Sequence, residues 1–467
     1  MTKKDEEKTL KYQRLTTSLV AVLAILLIAS EAFAGGFYLP GRGVRPLGRA
    51  GAFVASGEGN LNSLWYNPAN LTLSEGMELT VDLAVVDLAF DFQRAPRVTQ
   101  GGDTIEYGRV ESSAAPQPIP QILIGGPTGN DDLSWAFGFY TPYMAGATFP
   151  ENGPQRYTLI DNVGSAMGFL HAAVSYKLGD GARVGLGVQN AFASFRLVST
   201  TSAYTGLHGR PEDEDLDILS KIELSDFFAP AGNIGFWVKL GPSMEAAISA
   251  QSPVFFEDGD AELTVRMPSH PEFDNARLTN NTLAASMVLP AVARVALRYV
   301  DDPIDIELAG VWEGWSAFKE IKATPNDIEV EGVPGIGSIP VGPLTIPENW
   351  KDTFSVRLGG DFKVDEALTL RAGYNFETGA VPDEYYSVFS PDSDKHTVAA
   401  GMSWAFDGWQ LDAGTAYYFF SDRNIDTSNM RQINPTDAEN ELATVVGNGE
   451  YSSRYFVFGM GVNYMFE

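Results

Sequence analysis

The connections between the predicted strands of this chain alternate between long and short. From Leu79 to the C-terminus, segments that read as β-strands are joined in turn by tight turns and by long stretches. The tight turns are Gly179–Gly181, Gly241–Ser243, Asp301–Pro303 and Asp407–Gly408, and the long stretches are residues 199–229, 255–290, 316–350 and 421–450. A β-barrel of the bacterial outer membrane sorts its connections in this way, because periplasmic turns are short and extracellular loops are long. A soluble β-sandwich, which is the alternative, has no reason to do so.

Apolar and polar residues alternate within these segments. One side of the final segment forms an apolar stripe of Phe456, Phe458, Met460, Val462, Tyr464 and Phe466. Successive side chains of a strand point to opposite faces, so the residues between these six share the other side. In three further segments that other side carries Glu307, Arg371 and Asp412. An Arg or Lys at mid-depth in hydrocarbon costs about 2–4 kcal/mol, so we expect such charged residues to line a lumen.

These segments predict an all-β fold, a transmembrane antiparallel β-barrel of about fourteen strands over residues 76–467. The number of strands depends on residues 261–289, which hold either no wall strand or one. Closure of the sheet would remove unpaired strand edges, which hydrocarbon does not tolerate.

The N-terminus has the three parts of a secretory signal peptide. Basic residues between Lys3 and Arg14 precede the apolar run Leu19–Ile28, and Ala32–Ala34 supplies small residues for cleavage. We therefore expect residues 1–34 to be a signal peptide that is removed on export to the bacterial outer membrane. An uncleaved membrane anchor is the alternative, although the apolar run is shorter than the about 20 residues that a spanning helix needs.

The composition excludes several functions. The 467 residues include no Cys and four His, and the net charge is -28. Thiolate metal sites are therefore excluded, the His residues show no metal-ligand spacing, and the acidity disfavours nucleic acid as a partner. We expect no metal, no cofactor and no enzymatic activity. The nearest catalytic candidate is the pair His171 and Ser175, as in an outer-membrane hydrolase, and two lumen residues satisfied by their neighbours are the simpler interpretation.

Residues 35–75 precede the first predicted strand and are rich in Gly and Ala. They include Arg42, Arg45 and Arg49 together with apolar residues that favour burial, namely Phe37, Tyr38, Phe53, Leu64, Trp65 and Tyr66. A barrel of about fourteen strands has an interior that must be filled or left as a channel. We therefore predict that residues 35–75 form a hatch inside the lumen. A periplasmic tail is the alternative.

Short motifs recur in a fixed order along the chain after residue 34. In the predicted hatch they are Gly35–Phe37, Leu47–Ala50 and Asn67–Pro68–Ala69. In the predicted barrel they are Leu289–Ala291, Leu297–Tyr299, Trp312–Lys319, Trp350–Asp352, Arg357–Gly360, Arg371–Tyr374, Pro382 and Pro391–Asp394. The ordered set resembles the FadL-type family of outer-membrane long-chain fatty-acid transporters, which includes related aromatic-hydrocarbon transporters.

The resemblance implies passive uptake of long-chain fatty acids or other hydrophobic compounds, with loop capture, internal binding against the hatch and lateral release. In the family, release occurs at a kink in the third strand, where this chain has Pro142 and then Gly146. An ordinary strand terminator is the alternative.

Four residues are candidate ligand contacts. Phe37 is the candidate hatch residue, and Arg196, Lys322 and Lys351 are candidate partners of a ligand carboxylate. An ordinary lumen or loop charge is the alternative for each basic residue. The basic residues of the family do not map cleanly onto this chain. An aromatic or alkane hydrocarbon, which needs no basic partner, therefore stays open as the substrate.

The predicted extracellular loops contain apolar residues. Leu216, Leu219, Ile222 and Phe227 have approximately helical spacing, which suggests a stripe that lines a groove. A later loop contains Val330, Val333, Ile336, Ile339, Val341 and Ile346. Each buried methylene contributes about 0.8 kcal/mol, so an apolar groove would capture a hydrophobic ligand without an energy source. We expect a monomer in contact with outer-membrane lipid and lipopolysaccharide, and the alternatives are a general diffusion porin and an adhesive barrel.

Overall fold

The computed structural model describes residues 42–56, 60–73, 76–99, 101–144, 146–206, 209–333, 337–434 and 442–466. The predicted signal peptide, residues 1–34, and the candidate hatch residue Phe37 lie outside the described residues. Within the described ranges, no helix is long and apolar enough to cross a membrane.

Fourteen antiparallel strands form a closed barrel. In chain order they are β1 (Met77–Arg94), β2 (Gln117–Pro127), β3 (Leu133–Met144), β4 (Ala166–Lys177), β5 (Ala182–Ser202), β6 (Asp217–Lys239), β7 (Met244–Gln251), β8 (Val292–Asp301), β9 (Ile304–Glu313), β10 (Thr353–Lys363), β11 (Leu368–Glu377), β12 (Lys395–Phe406), β13 (Trp409–Phe420) and β14 (Gly449–Phe466). Each strand pairs with the next. Strand β1 closes the cylinder by pairing with β14 from Met77 opposite Phe466 to Arg94 opposite Gly449. The predicted fold class is confirmed.

The two ends of the cylinder differ in the length of their connections. At one end, tight turns join the strands, for example at residues 178–181, 240–243 and 407–408. At the other end, the connections are long, for example residues 95–116, 252–291, 314–352 and 421–448. The alternation predicted from the sequence is therefore confirmed, and the long connections mark the extracellular end.

Residues 261–289 hold no strand of the barrel wall. Their strands belong to a sheet that rises from the extracellular end, which we call the extracellular sheet. It consists of the outer parts of β5 and β6 followed by the strands Val254–Arg266, Thr282–Leu289, Glu320–Pro325 and Leu344–Pro347. Strand β6 belongs to both structures, because it pairs with β7 through Asn233–Lys239 and with Val254–Arg266 through Leu219–Ser225.

The extracellular loops contain further short elements. The strands are Arg97–Val98, Thr104–Ile105, Val110–Glu111, Arg277–Leu278, Glu329–Val333, Gly337–Pro340 and Arg423–Ile425. The 3-10 turns are Glu214–Leu216, Pro271–Phe273, Trp315–Ala317 and Asp383–Tyr385.

The prediction of a helical stripe between Leu216 and Phe227 is wrong. Strand β6 begins at Asp217 and pairs with β5, with a register shift where Phe227 and Phe228 lie. Pairing between distant strands decides the conformation here, because cross-strand contacts override a weak local spacing.

Residues of the wall alternate between lipid and lumen. On β9, Leu308 is 50% exposed whereas Glu307 is 0% exposed. Arg371 and Asp412 are likewise buried within the lumen. The faces predicted from the alternation are therefore confirmed.

Residues 42–56 and 60–73, the described part of the predicted hatch, pack inside the cylinder. They contain α1 (Val44–Leu47), α2 (Ser63–Tyr66) and a 3-10 segment (Pro68–Leu73). Helix α1 contacts β12, β13 and β14, and the 3-10 segment contacts β4, β5 and β6 on another side. Phe53 and Leu64 are fully buried. The apolar residues of this segment thus fill the bore.

Replacing Leu308 by Arg should destabilise the barrel in a bilayer by about 2–4 kcal/mol, because this side chain faces lipid near the middle of β9. The free energy of unfolding in liposomes, obtained from a denaturant titration, measures the effect. Glu320→Arg, at an exposed position of the extracellular sheet, is the control and should change stability by less than about 0.5 kcal/mol. Equal losses in the two variants would contradict the assignment of the faces.

Candidate functional site

A carboxylate of the wall holds the middle of the hatch. Glu307 accepts hydrogen bonds from the backbone N–H groups of Val54 at 2.6 Å, Ala55 at 3.1 Å and Ser56 at 2.7 Å. The hydroxyl of Ser56 donates a fourth bond at 2.7 Å. Hydrogen bonds to an ionised group are the stronger kind, so this contact fixes the hatch against β9.

Ion pairs hold the hatch at a second place. The guanidinium of Arg49 is fully buried and lies 2.7 Å from Asp361 and 3.2 Å from Asp305. Asp305 also pairs with Arg298 of β8 at 2.8 Å. Removing one partner of a buried pair leaves a charge without compensation, so these contacts oppose displacement of the hatch.

The motif Asn67–Pro68–Ala69 packs directly on the wall. Asn67 is fully buried, and its amide donates to the carbonyl of Val54 at 3.0 Å and to that of Phe236 at 3.3 Å. A Cβ added at Gly235 would lie 1.8 Å from the Asn67 side chain, so glycine permits the close approach of hatch and wall.

His171 and Ser175 face the lumen but serve different neighbours. His171 hydrogen-bonds to Tyr140 at 2.6 Å and to Asn233 at 3.0 Å. Ser175 donates to the carbonyl of Ala69 in the hatch at 2.8 Å. Ser175 therefore binds the hatch directly, whereas His171 joins two residues of the wall. Among the described residues, no group of His, Asp and Glu is placed to hold a metal ion.

The third strand carries a β-bulge at the position named for release. The pairing of β3 with β4 shifts register between Tyr140 and Tyr143, and Pro142 lies within the shift. The ladder between β2 and β3 ends at Gln121 opposite Tyr140. Proline has no N–H to donate, so it suits an interrupted ladder. Gly146 is buried just beyond the end of β3.

The first described residue of the hatch reaches this bulge. The guanidinium of Arg42 donates to the carbonyl oxygen of Pro142 and lies 5.6 Å from the centre of the Trp65 ring. A cavity of about 20 Å³ lies beside this contact and is lined by Arg42, Val44 and residues of β1, β2, β3 and β14. That volume holds about one water molecule, so the hatch covers the bulge closely.

A much larger cavity of about 690 Å³ lies against the inner face of the extracellular sheet. The sheet lines it with Leu197, Ser199, Thr201, Ile218, Ser220, Ile222, Leu263, Val265, Leu283, Ala323, Leu344 and Ile346. The opposite side is lined by Tyr157, Phe389 and residues 429–434. Its volume falls in the range of about 300–1,000 Å³ that is usual for small-molecule pockets.

Several apolar loop residues named from the sequence line this cavity. They are Ile222, Val330, Val341 and Ile346. Leu216 instead packs against Phe273 in a separate cluster, and Phe227 is 72% exposed. Ile336 and the side chains of Val333 and Ile339 lie outside the described residues. In β5, β6 and Val254–Arg266, lining residues alternate with outward residues, and this period of two is the signal that local helical spacing concealed.

The structure does not bring Arg196, Lys322 and Lys351 together. Arg196 is bonded to Asp161 and lies in a shallow depression beside β5. Lys322 is exposed and adjoins Ala323, whose side chain lines the cavity on the opposite face of the strand. Lys351 is exposed just before β10. The lining of the cavity contains none of these three residues.

Glu212 joins three extracellular loops above the barrel. Its carboxylate accepts hydrogen bonds from Tyr107 at 2.6 Å, Arg94 at 2.8 Å and Thr444 at 2.8 Å. Arg97 lies 3.1 Å away. Burial alone raises the pKa of Glu212, but Arg94 and the hydrogen bonds from Tyr107 and Thr444 outweigh it, so the pKa lies below its ordinary value.

The sequence over residues 25–466 matches the family described as Outer membrane protein transport protein (OMPP1/FadL/TodX). This chain belongs to that family. The resemblance drawn from the ordered motifs is confirmed. The family consists of outer-membrane transport proteins and not of enzymes, so transport of hydrophobic substrates across the outer membrane is the function of this chain.

Individual relatives cover almost the whole chain. A long-chain fatty acid transport protein of Escherichia coli O6:H1 is 22% identical over 489 aligned positions, which span 97% of this chain and 98% of the relative. The crystal structure of a Pseudomonas aeruginosa FadL homologue has a TM-score of 0.74 at 17% identity and covers 92% of this chain and 100% of its own. The Pseudomonas putida toluene transporter TodX has a TM-score of 0.62 at 15% identity with 92% and 100% coverage. These structures establish the shared fold.

Replacing Glu307 by Gln should loosen the middle of the hatch. The variant loses charge-assisted bonds to Val54 and Ser56, each worth about 1.5–3 kcal/mol. Hydrogen exchange of peptides that contain residues 54–56, followed by mass spectrometry, should become faster. Glu320→Gln on the extracellular sheet is the control and should leave this exchange unchanged. Unaltered protection in the Glu307 variant would contradict the role assigned to this carboxylate.

Acid should loosen the loops joined by Glu212. Its folded pKa lies below the unfolded value of 4.5, so its stabilisation is complete at neutral pH and is lost as the pH falls through the folded pKa. Spin labels at Asp103→Cys and Asp422→Cys, in a chain with no native Cys, report the distance between two of these loops. We expect a narrow distribution at pH 7 that broadens below pH 4.5. Glu212→Gln should be broad at both values, and a pH response that survives this substitution would refute the assignment.

Proposed function

We propose that the protein takes up hydrophobic compounds passively, by capture in the extracellular cavity, binding against the hatch and lateral release into the membrane. The cavity of about 690 Å³ carries this proposal. Apolar residues of the extracellular sheet dominate its lining, and residues 42–56 and 60–73 fill the bore below. An open aqueous route for ions or sugars is the function that this arrangement supports least.

Burial of the ligand supplies the driving force for capture. Each methylene removed from water contributes about 0.8 kcal/mol, so a chain of ten methylenes gains about 8 kcal/mol before the costs of ordering are subtracted. The charged lipopolysaccharide leaflet opposes direct entry of such a molecule into the membrane. A protein cavity outside the leaflet therefore bypasses the main barrier.

The proposal divides the chain into a cleaved signal peptide at residues 1–34, a hatch at residues 35–75 and the barrel at residues 76–467. Glu307 and Arg49 fix the centre of the hatch. Rearrangement during transport should therefore begin in the residues before Val44, which include Phe37. Phe37 is proposed as the hatch residue that meets the ligand.

Lateral release is proposed to occur beside Pro142. The bulge in β3 interrupts the ladder, and Gly146 follows it where the chain leaves the wall. Arg42 covers this position by donating to the carbonyl of Pro142. Withdrawal of Arg42 would open a path from the bore to the surrounding lipid.

Two substrate classes follow from the relatives, one of which is a long-chain fatty acid transport protein and another a toluene transporter. For a fatty acid, Arg196, Lys322 and Lys351 stay proposed partners of the carboxylate, and neutralising each one tests them separately. For a hydrocarbon, no such partner is needed. The working state is proposed to be a monomer surrounded by lipid and lipopolysaccharide.

Uptake into outer-membrane vesicles tests the release step. Pro142→Ala restores a backbone donor to β3, so it should slow the transfer of dodecanoate or toluene into the vesicle membrane severalfold without changing binding to the cavity. Pro150→Ala, at an exposed loop position, is the matched control. Unaltered transfer in the Pro142 variant would refute lateral release at β3. Deletion of residues 35–73 is a separate test of the hatch. It should abolish transfer of dodecanoate or toluene, whereas adhesion that survives the deletion would favour an adhesive barrel.

A further inference from the structure

We infer that Arg431 selects carboxylate amphiphiles at the extracellular cavity, so that the substrate class is a fatty acid rather than a hydrocarbon. This inference rests on the proposed function and adds the chemical class of the ligand and the way it lies. Arg431 belongs to the last extracellular loop, and no feature of the sequence singled it out.

The charge pattern of the cavity is the first observation. Among the described residues that line it, Arg431 is the one with a formal charge. The whole chain has 60 Asp and Glu against 32 Lys and Arg, with a net charge of -28. The described lining of the cavity thus has a positive formal charge, whereas the chain as a whole is strongly negative. A positive lining favours binding of an anion.

The distribution of polar groups is the second observation. Residues 429–434 contribute the polar side chains Asn429, Arg431, Gln432 and Asn434, together with Met430 and Ile433. The extracellular sheet faces them with Ile222, Leu263, Leu344 and Ile346. The charged and amide side chains of the described lining therefore all come from this one segment. That arrangement suits a molecule with a carboxylate at one end and an acyl chain behind it.

The guanidinium of Arg431 is only partly engaged by other residues of the protein. One terminal nitrogen of Arg431 donates to the carbonyl of Ala443 at 2.8 Å, and the backbone of Arg431 forms a bridge with Val445. These contacts fix the direction of the side chain, which is exposed. A guanidinium has five N–H donors, so several are left for a ligand. Arg196 differs, because it is already bonded to Asp161.

The geometry gives the bound ligand a direction. The carboxylate would accept two parallel hydrogen bonds from Arg431 at the exposed side of the cavity. The acyl chain would lie along the inner face of the extracellular sheet, toward Leu197 and Ile222, where β5 and β6 descend into the wall. The tail would therefore enter the barrel first and the head group last.

Binding of matched ligands to the purified full-length mature barrel tests the inference. Dodecanoate and 1-dodecanol have the same tail and differ in the charge of the head group, and toluene serves as the hydrocarbon. At pH 8, Arg431→Gln should weaken binding of dodecanoate about fivefold, the effect of one exposed ion pair, and should leave 1-dodecanol and toluene unchanged. Arg431→Lys should retain most of the affinity for dodecanoate. Lys239→Gln, at an exposed position beside the tight turn that follows β6, is the matched control and should have no effect.

Salt dependence gives a second readout that a merely structural role would not change. Raising the ionic strength should weaken binding of dodecanoate to the wild type and should have little effect on Arg431→Gln, because the screened interaction is absent there. Equal weakening of all three ligands, or no weakening of any, would overturn the role of Arg431. Failure of the wild type to bind any of the three would instead refute the proposed function, so the two failures are distinguishable. Heat-modifiable migration on gels shows that each variant is folded.

Discussion

Every backbone group within hydrocarbon must find a partner inside the protein, and this constraint determines the rest of the structure. Fourteen strands satisfy it only because β1 pairs with β14 along its whole length. Closure at this strand number creates a bore that wall side chains alone do not fill. The hatch fills this bore. A substrate therefore needs a route other than an open channel.

Charged side chains of the lumen hold the hatch in place. Glu307 binds three consecutive backbone amides, and Arg49 joins Asp361 and Asp305 of two wall strands. Directly below the extracellular cavity, a hydrophobic ligand would therefore encounter the fixed and polar contacts between hatch and wall. The bulge of β3, covered by Arg42, is the place where the wall itself is interrupted. In the function that we propose, capture outside and exit to the side are thus two consequences of one filled bore.

The wall could be predicted from the sequence because its signal is local. Lipid on one side and a polar lumen on the other impose a period of two on each strand, as Leu308 and Glu307 illustrate. The pairing of the strands in the extracellular sheet could not be predicted in the same way. Its lining residues, such as Ile222, depend on pairing between β6 and Val254–Arg266, which local spacing does not encode. The position of Arg431 depends in turn on the last loop folding across that sheet.

Parallel measurement of ion conductance in planar bilayers and of transfer of an amphiphile in liposomes tests the central claim most directly. The account predicts saturable transfer of dodecanoate by the wild-type protein together with almost no ohmic conductance, because the hatch fills the bore while the cavity and the bulge provide the route. Stable ohmic conductance with permeation of sugars, and transfer of dodecanoate no faster than in liposomes without protein, would contradict it.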